Sequence, residues 1–424
     1  MRSGRITIVA TNPGKNGSTR QHRIVQNETH TILTSRGPSP DSKGTITFTS
    51  QIANKPKPNP KAKDLFPQPG LKTSTRTFYI SKSYTRRVIL PFFIGTYTTP
   101  EGSQGIYQST LNLQTGELTE PTLAAETSNP SYLAFHPKFP IIATINELKS
   151  GSITTFRYEN NKLISLQVKA IAGQGPCHLS FHPTEPLLFT ASYGSGHFSI
   201  HTLVFDQIGP EEPFQFPANP ENNPPTRAHC IKAHPNLPFV YGTDLGRNHI
   251  VLFTNDKPPQ FFPLTAGSPR HFVFSQSGKT LYVNSENASA VTALKINSET
   301  GHLTEFQTIS TISSNAPKDT TAEILLHPNG KTLYVSNRGD NSIATFAINP
   351  DETLSRLAIT PTSAETPRGL AVDPTGAFLV AAGQSNNIIT TLQLDPTTGI
   401  PQATKHQFSL SKPVHIAFPP NYSQ

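Results

Sequence analysis

Three observations in the 424-residue sequence predict an all-β fold, a seven-bladed β-propeller closed by N- and C-terminal strands and preceded by a disordered basic tail. A phrase of short, alternating apolar runs occurs six times, with its turn residues in the same phase. Its copies begin 42 to 51 residues apart, a period typical of propeller blades. The two ends of the chain supply the pieces of one further unit.

The copy at residues 322–348 shows the strands of a unit most clearly. Residues 322–327 form a first apolar run, which Pro328-Asn329-Gly330 ends with residues suited to a tight turn. Residues 332–336 are rich in β-branched and aromatic side chains, and residues 342–348 alternate in the manner of a third strand. Such a meander cannot bury its own faces, so it needs neighbours. The other copies begin at Tyr132, His178, His229, His271 and Gly369.

The two ends of the repeat region complete the count. Residues 91–97 match the second strand of a unit and residues 105–112 match the third, but no first strand precedes them. Residues 413–419 match that missing first strand. The sequence therefore predicts that one composite blade closes the ring, which removes the exposed sheet edges between the first and last blades.

Residues 1–87 have a different composition from the propeller domain predicted for residues 88–424. They hold 16 of the 35 Lys and Arg but 3 of the 27 Asp and Glu, a net charge of +13, and are rich in Pro, Ser, Thr and Asn. Such a segment buries too little apolar surface to offset the entropy of ordering, which predicts disorder. Translation from a start upstream of the natural one would give the same composition. Few aromatic residues are present to stack on bases, so no nucleic-acid partner is predicted.

The composition favours a cytoplasmic protein without a membrane partner. The apolar run at residues 88–94 is too short to span a bilayer. Two cysteines, Cys177 and Cys230, do not form a disulfide framework. The oligomeric state stays open at this point, with a monomer favoured.

Polar residues that differ from blade to blade mark a candidate site. Because the second strand of a blade returns antiparallel to the first, the start of the first strand and the end of the second lie at one mouth of the channel. Unpaired buried charges are costly, so those at the mouth are expected to pair or to bind a ligand. First strands begin with His178, His229, Arg270, His271, Glu323 and Arg368, and second strands end with Glu147, Tyr193, Asp244, Glu286 and Arg338.

Several other motifs argue for structure or are absent. The histidines that recur before turns at the other end of the channel (His136, His182, His234 and His327) are predicted to be structural. The sequence has no GxGxxG loop, no phosphate-binding GxxxxGK[ST] loop and no GxSxG elbow. No HxH or CxxC pair suggests a metal site, so none is predicted.

Four segments resemble the bacterial lactonase family of seven-bladed propellers, which includes propeller-type 6-phosphogluconolactonases and carboxy-muconate lactonizing enzymes. They are GPCHLSFHP, SYGSG, SPRHFVFSQSGKTLYVNSE and AEILLHPNGKTLYVSNRG, at residues 175–183, 192–196, 268–286 and 322–339. The resemblance covers residues 91–419. It implies a catalytic set of one His, two Arg and one Glu, which correspond by motif to His229, Arg270, Arg338 and Glu286.

The resemblance implies hydrolysis of a sugar-acid lactone, 6-phosphoglucono-δ-lactone of the pentose phosphate pathway being the first expectation. No cofactor is required. Glu286 or His229 would act as general base on water, and Arg270 and Arg338 would bind anionic oxygens. A muconate-type lactonizing enzyme and a non-catalytic binding platform remain alternatives. Blade position further predicts substrate contacts for His178, Tyr193, Glu323 and Arg368.

Overall fold

A computed structural model of the chain describes residues 88–215, 225–255, 257–313 and 319–420, together with four short strands nearer the N-terminus. The chain divides into two compact units, Met1–Arg86 and Arg87–Gln424. The described residues contain no helix, and therefore none that could cross a membrane.

The first unit contains one antiparallel sheet of four strands in the order β2-β1-β3-β4. Segments such as ITIVA and ITFTS suit strands because β-branched and aromatic residues pack well on a pleated surface. Apart from these four strands, residues 1–87 lie outside the described part of the chain, and the disorder predicted for them lies there too. The strands are β1 (Ile6–Ala10), β2 (Arg20–Arg23), β3 (Ile46–Ser50) and β4 (Ser74–Phe78).

The second unit confirms the predicted seven-bladed propeller, with seven antiparallel sheets of four strands each. Blade 1 consists of β32 (Pro413–Ala417), β5 (Ile89–Thr96), β6 (Gly105–Asn112) and β7 (Thr122–Glu126). Blade 2 consists of β8 (Tyr132–Phe135), β9 (Ile141–Asn146), β10 (Ser152–Glu159) and β11 (Lys162–Ala170). Blade 3 consists of β12 (Pro176–Phe181), β13 (Leu187–Ser192), β14 (His197–Val204) and β15 (Gln207–Gln215).

The remaining blades follow in chain order. Blade 4 consists of β16 (Ala228–Ala233), β17 (Val240–Asp244), β18 (His249–Thr254) and β19 (Lys257–Pro263). Blade 5 consists of β20 (Pro269–Phe274), β21 (Thr280–Ser285), β22 (Ala290–Ile296) and β23 (Leu303–Ser310). Blade 6 consists of β24 (Thr321–Leu326), β25 (Thr332–Asn337), β26 (Ser342–Ile348) and β27 (Leu354–Pro361). Blade 7 consists of β28 (Pro367–Val372), β29 (Phe378–Gly383), β30 (Ile388–Leu394) and β31 (Pro401–Ser409).

Blade 1 closes the ring as the sequence predicts. Strand β32 pairs antiparallel with β5, with Pro413 opposite Thr96 and Ile416 opposite Ile94. The first strand of each blade contacts the first strands of both neighbouring blades, and β32 lies between β28 and β8. The seven first strands therefore surround one central channel.

The hydrophobic core is divided among the blade interfaces. One cluster, for example, packs Tyr241 and Leu252 of blade 4 against Phe272 and Leu281 of blade 5. Each sheet thus buries its two faces against its neighbours, which is why a single blade would not be stable alone.

The recurring histidines before turns have the structural role that the sequence predicts. Nδ1 of His234 accepts hydrogen bonds from the backbone N–H groups of Asn236 and Leu237, at 3.1 and 3.0 Å. Its Nε2 then carries the proton and donates to the carbonyl oxygen of Gly278 in the next blade, at 2.7 Å. His327 of blade 6 makes the same bridge to Gly376 of blade 7. His234 and His327 therefore each form a hydrogen bond that links one blade to the next.

Candidate functional site

The channel has one end at which the first strands begin, and we call this end the mouth. Pairing places Pro269 opposite Ser285 and Thr321 opposite Asn337, so the residues that follow them also lie at the mouth. In six of the seven blades the first strand carries one extra residue at this point, as in a β-bulge. Such bulges redirect side chains. His229, Arg270 and Arg368 all lie within these bulges.

One group at the mouth, which we call the direct cluster, consists of Arg270, Glu286 and Arg338 of blades 5 and 6. Oε2 of Glu286 lies 3.0 Å from Nε of Arg270, and its Oε1 lies 2.9 Å from Nη2 of Arg338. Arg270 is almost completely buried, whereas the side chains of Glu286 and Arg338 are 19% and 17% exposed. Burial and the neighbouring Arg368 lower the pKa of Arg270. One carboxylate thus holds two guanidinium groups at the edge of solvent.

Asp319 shapes the turn that presents Arg338. Its carboxylate accepts hydrogen bonds from the backbone N–H groups of Thr320, Gly339 and Asp340. The carbonyl oxygen of Thr320 accepts in turn from the N–H of Arg338, at 2.9 Å. The position of Arg338 is therefore fixed through its backbone as well as by Glu286.

His229 lies beside the direct cluster, in blade 4. Its side chain is buried, and its Nδ1 has no hydrogen-bond partner among the described residues. The ring lies 5.1 Å from that of His271 and 5.6 Å from that of Tyr193, measured between centroids. Burial and the charge of Arg270 hold the pKa of His229 well below its usual value. The imidazole is therefore neutral near pH 7.

A second group, which we call the bridged cluster, consists of Arg368, Tyr97 and Glu147 of blades 7, 1 and 2. Nη2 of Arg368 donates to the Tyr97 hydroxyl at 3.0 Å, and this hydroxyl donates to Oε2 of Glu147 at 2.9 Å. Ser131 also donates to that oxygen, at 2.5 Å. Tyr97 is not among the site residues that the sequence predicts. Its position immediately after a second strand, like that of Glu286 and Arg338, is the signal that could have found it.

The next layer of the channel, below the mouth, contains His178, His271 and Glu323. Nδ1 of His271 lies 2.9 Å from Oε1 of Glu323, and both side chains are at least 95% buried. His178 contacts Cys230 and the backbone N–H of Ile231. Burial lowers the pKa of His178 and of His271 far below the usual value, and raises that of Glu323. These groups therefore favour their neutral forms.

The structure thus brings together most, but not all, of the predicted site residues. His229, Arg270, Glu286, Arg338 and Arg368 lie at the mouth, and Tyr193 stands there with 37% of its surface exposed. The predicted substrate contacts His178 and Glu323 instead lie in the layer below. The extra residue in the first strands of blades 3 and 6 explains the difference, because it brings two successive side chains towards the channel, one beneath the other.

Asp244 also differs from the sequence-based expectation. It is buried, and its Oδ1 accepts hydrogen bonds from the backbone N–H groups of Arg227 and Arg247. It pairs with Ala228, so the blade-4 residue equivalent to Glu286 is Leu245. Asp244 therefore stabilises a loop through these backbone hydrogen bonds. The apolar Leu245 occupies the position at the mouth that Glu286 occupies in blade 5.

The opposite end of the channel has a different character. A cavity of about 330 Å³ lies there, with walls formed largely by apolar residues such as Leu325, Leu370 and Phe418. Lys232 and His415 lie among them. None of the channel arginines lines this cavity, so the chemistry of anionic substrates points to the mouth. Within the described parts of the propeller, no cluster of three or more His, Cys, Asp or Glu side chains is arranged to hold a metal ion.

The mouth combines a neutral imidazole, a carboxylate fixed by two guanidinium groups, and a third guanidinium on a tyrosine support. Guanidinium forks bind carboxylate and phosphate oxygens, and fixed cations stabilise negative charge that develops on a carbonyl oxygen. A buried neutral histidine can take a proton from water. The arrangement suits the hydrolysis or the binding of an anionic carbonyl compound.

Comparisons with known proteins agree with this chemistry. The sequence profile of the family described as "Lactonase, 7-bladed beta-propeller" matches residues 91–418. The 6-phosphogluconolactonase of Bacillus subtilis is 28% identical over 344 residues, which cover 77% of this chain and 97% of that protein. A probable 6-phosphogluconolactonase of Arthroderma benhamiae is 30% identical over 328 residues, which cover 70% of this chain and 82% of that protein.

A solved structure gives the same result in three dimensions. A putative 6-phosphogluconolactonase of Bacteroides uniformis superimposes with a TM-score of 0.71 at 28% identity, over 78% of this chain and 100% of that one. Together these similarities support a lactonase function in general.

Proposed function

Because the chain belongs to the lactonase family of seven-bladed β-propellers, we propose that it hydrolyses a sugar-acid lactone at the channel mouth, with 6-phosphoglucono-δ-lactone as substrate. One observation carries the proposal. Glu286 stands between two guanidinium groups, at the same mouth as His229, whose buried imidazole is neutral. The names of the two curated relatives above support the choice of substrate.

In the proposed reaction, His229 is the general base. It takes a proton from a water molecule, whose oxygen bonds to the carbonyl carbon of the lactone. The carbonyl oxygen becomes an oxyanion, which Arg270 and Arg338 stabilise. When the oxyanion collapses, the ester bond to the ring oxygen breaks and the protonated His229 returns its proton to that oxygen. The product is an open-chain sugar acid.

Glu286 has a distinct role in this proposal. It fixes the two guanidinium groups before the substrate arrives, so that little reorganisation is needed when charge develops. Glu286 itself remains the alternative base, and near-normal turnover in His229→Gln would favour that alternative.

The direct test follows proton release when the purified protein meets freshly prepared 6-phosphoglucono-δ-lactone at pH 7. We expect hydrolysis well above the spontaneous rate, and a loss of roughly 100-fold or more in His229→Gln with the melting temperature retained. A wild-type rate equal to the spontaneous one would refute the proposal.

A muconate-type lactonizing reaction is the second candidate, because the same guanidinium forks suit a dicarboxylate. A panel that contains 6-phosphoglucono-δ-lactone, glucono-δ-lactone and carboxy-muconate separates the two reactions. Loss of muconate absorbance without lactone hydrolysis would favour the second. A protein inactive on every compound would fit the binding platform.

A further inference from the structure

The three channel arginines of the mouth differ in what neutralises them. Arg270 and Arg338 share Glu286. Arg368 has no carboxylate within ion-pair distance among the described residues, and its one hydrogen bond to a side chain there goes to the neutral Tyr97. Five N–H donors on a guanidinium leave most of this fork unused. Of these three arginines, Arg368 is therefore the one whose guanidinium no carboxylate contacts directly.

The support of Arg368 fixes its direction. The guanidinium carbon lies 5.6 Å from the centre of the Tyr97 ring, and the Tyr97 hydroxyl accepts from Nη2 while donating to Glu147. Burial raises the pKa of Tyr97, which keeps this hydroxyl protonated. Glu147 is held in turn by Ser131 and by the bond from its own N–H to the Asn129 carbonyl oxygen. The side chain is thus preorganised, which reduces the entropic cost of binding an anion.

We propose that the bridged cluster is an anion subsite that recognises the phosphate of a phosphorylated lactone, and that Arg368 provides its charge. The inference rests on the proposed function and adds to it the origin of substrate specificity. The carbonyl at C1 and the phosphate at C6 lie at the two ends of such a substrate, so they require separate subsites. The direct cluster takes the carbonyl end, since its charges are already largely balanced and suit a developing oxyanion. Arg368, which no carboxylate of the described residues contacts directly, takes the phosphate.

Steady-state kinetics with two substrates test the inference. Wild-type protein should prefer 6-phosphoglucono-δ-lactone to glucono-δ-lactone. In Arg368→Met, kcat/KM for the phosphorylated lactone should fall roughly 10- to 100-fold, chiefly through KM, because charge-assisted hydrogen bonds are lost. The value for glucono-δ-lactone should change less than about threefold. Arg338→Met is the matched control, and it should slow the hydrolysis of both lactones.

Two further variants protect the test from a folding defect. Tyr97→Phe keeps the ring but removes the hydroxyl that orients Arg368, and should lower the preference for phosphate about fivefold. Arg368→Lys keeps the charge without the fork, and should retain part of the preference. Melting temperatures identify any variant that fails to fold. An equal loss on both lactones in Arg368→Met, or a wild type without preference, would overturn the inference.

Equilibrium binding separates this inference from the proposed function. Calorimetric titration with 6-phosphogluconate and with gluconate needs no turnover. If the wild type hydrolyses neither lactone, the proposed function fails, while a selective loss of 6-phosphogluconate binding in Arg368→Met would still support the anion subsite. Unchanged binding of 6-phosphogluconate in that variant would overturn the subsite regardless of activity.

Discussion

The direct and bridged clusters place the same kinds of charge at the same mouth, and they differ in whether a neutral group separates those charges. In the direct cluster, Glu286 contacts Arg270 and Arg338. In the bridged cluster, the Tyr97 hydroxyl stands between Arg368 and Glu147. In a direct ion pair, the carboxylate neutralises most of the cation's charge. In a bridged pair, the cation can still bind another anion. Because the Tyr97 hydroxyl separates Arg368 from Glu147, Arg368 is the arginine that can bind an anionic group of a ligand.

The largest expected effect is on stability in acid, through the buried imidazoles of the channel. The folded-state pKa values of His178, His229 and His271 lie well below the usual one, and that of His415 is about 4. The unfolded chain therefore binds more protons once the pH falls below about 6.5, and stability is lost as the pH falls.

We expect the free energy of unfolding to decrease by about 1 kcal/mol for each of these histidines between pH 7 and pH 5.5. Urea denaturation at several pH values measures the slope. His178→Gln should give a shallower slope, since it removes one of the four groups. A free energy of unfolding that stays constant over this range would contradict the pKa shifts.

The next prediction removes the carboxylate of each cluster in turn. Glu286→Leu leaves two guanidinium groups without a counter-ion, one of them almost completely buried, and should destabilise the fold by about 3 kcal/mol. Glu147→Leu removes an acceptor from two neutral hydroxyl groups and should cost about 1 kcal/mol. Urea denaturation of both variants at pH 7 measures the difference. Equal costs would mean that the tyrosine does not separate the charges.

Conservative amides test the clusters for catalysis. Glu286→Gln should keep the fold and lower kcat roughly 100-fold, because the guanidinium groups lose the charge that positions them. Glu147→Gln, the matched change in the bridged cluster, should lower kcat less than about threefold. Turnover numbers on the lactone substrate provide the measurement. Near-normal turnover in Glu286→Gln would remove Glu286 from the mechanism and leave His229 as the base candidate.

The smallest expected effect is the different response of the two clusters to salt. Substrate binding at Arg368 should weaken as ionic strength rises, because an approaching phosphate is screened, while the preformed direct cluster should respond little. Raising the salt concentration from 0.05 to 0.5 M should increase KM for the phosphorylated lactone about twofold and leave kcat unchanged. A fall in kcat instead would indicate that salt disrupts the direct cluster.

The repeat pattern predicts much of this arrangement because blades share one geometry. The spacing of the six phrases predicts the ring, and the orphan segment at residues 413–419 predicts its closure by β32. Strand direction alone then brings Arg270, Glu286 and Arg338 to one mouth. These conclusions depend on period and alternation, which survive changes in individual residues.

What the pattern does not contain is the exact register. One extra residue in a first strand leaves the period almost unchanged, yet it determines that Arg270 reaches the mouth while Glu323 lies below it. In blade 4 the residue equivalent to Glu286 is Leu245, one position after the predicted Asp244. The role of Tyr97 depends on contacts between blades 7, 1 and 2. Such contacts join residues that are 271 and 50 positions apart, so local periodicity carries no record of them.

The composite blade also has a consequence for the order of events during protein synthesis. Tyr97 follows β5, whose partner β32 is made roughly 300 residues later, about 15 to 60 s at ordinary rates of translation. Arg368 belongs to the blade made just before β32. The bridged cluster therefore cannot assemble until nearly all of the propeller has left the ribosome, whereas blades 4 and 5 can pair much earlier. A nascent chain stalled before β32 would carry all three residues of the direct cluster, while the bridged cluster would still lack the strand that pairs with β5 next to Tyr97.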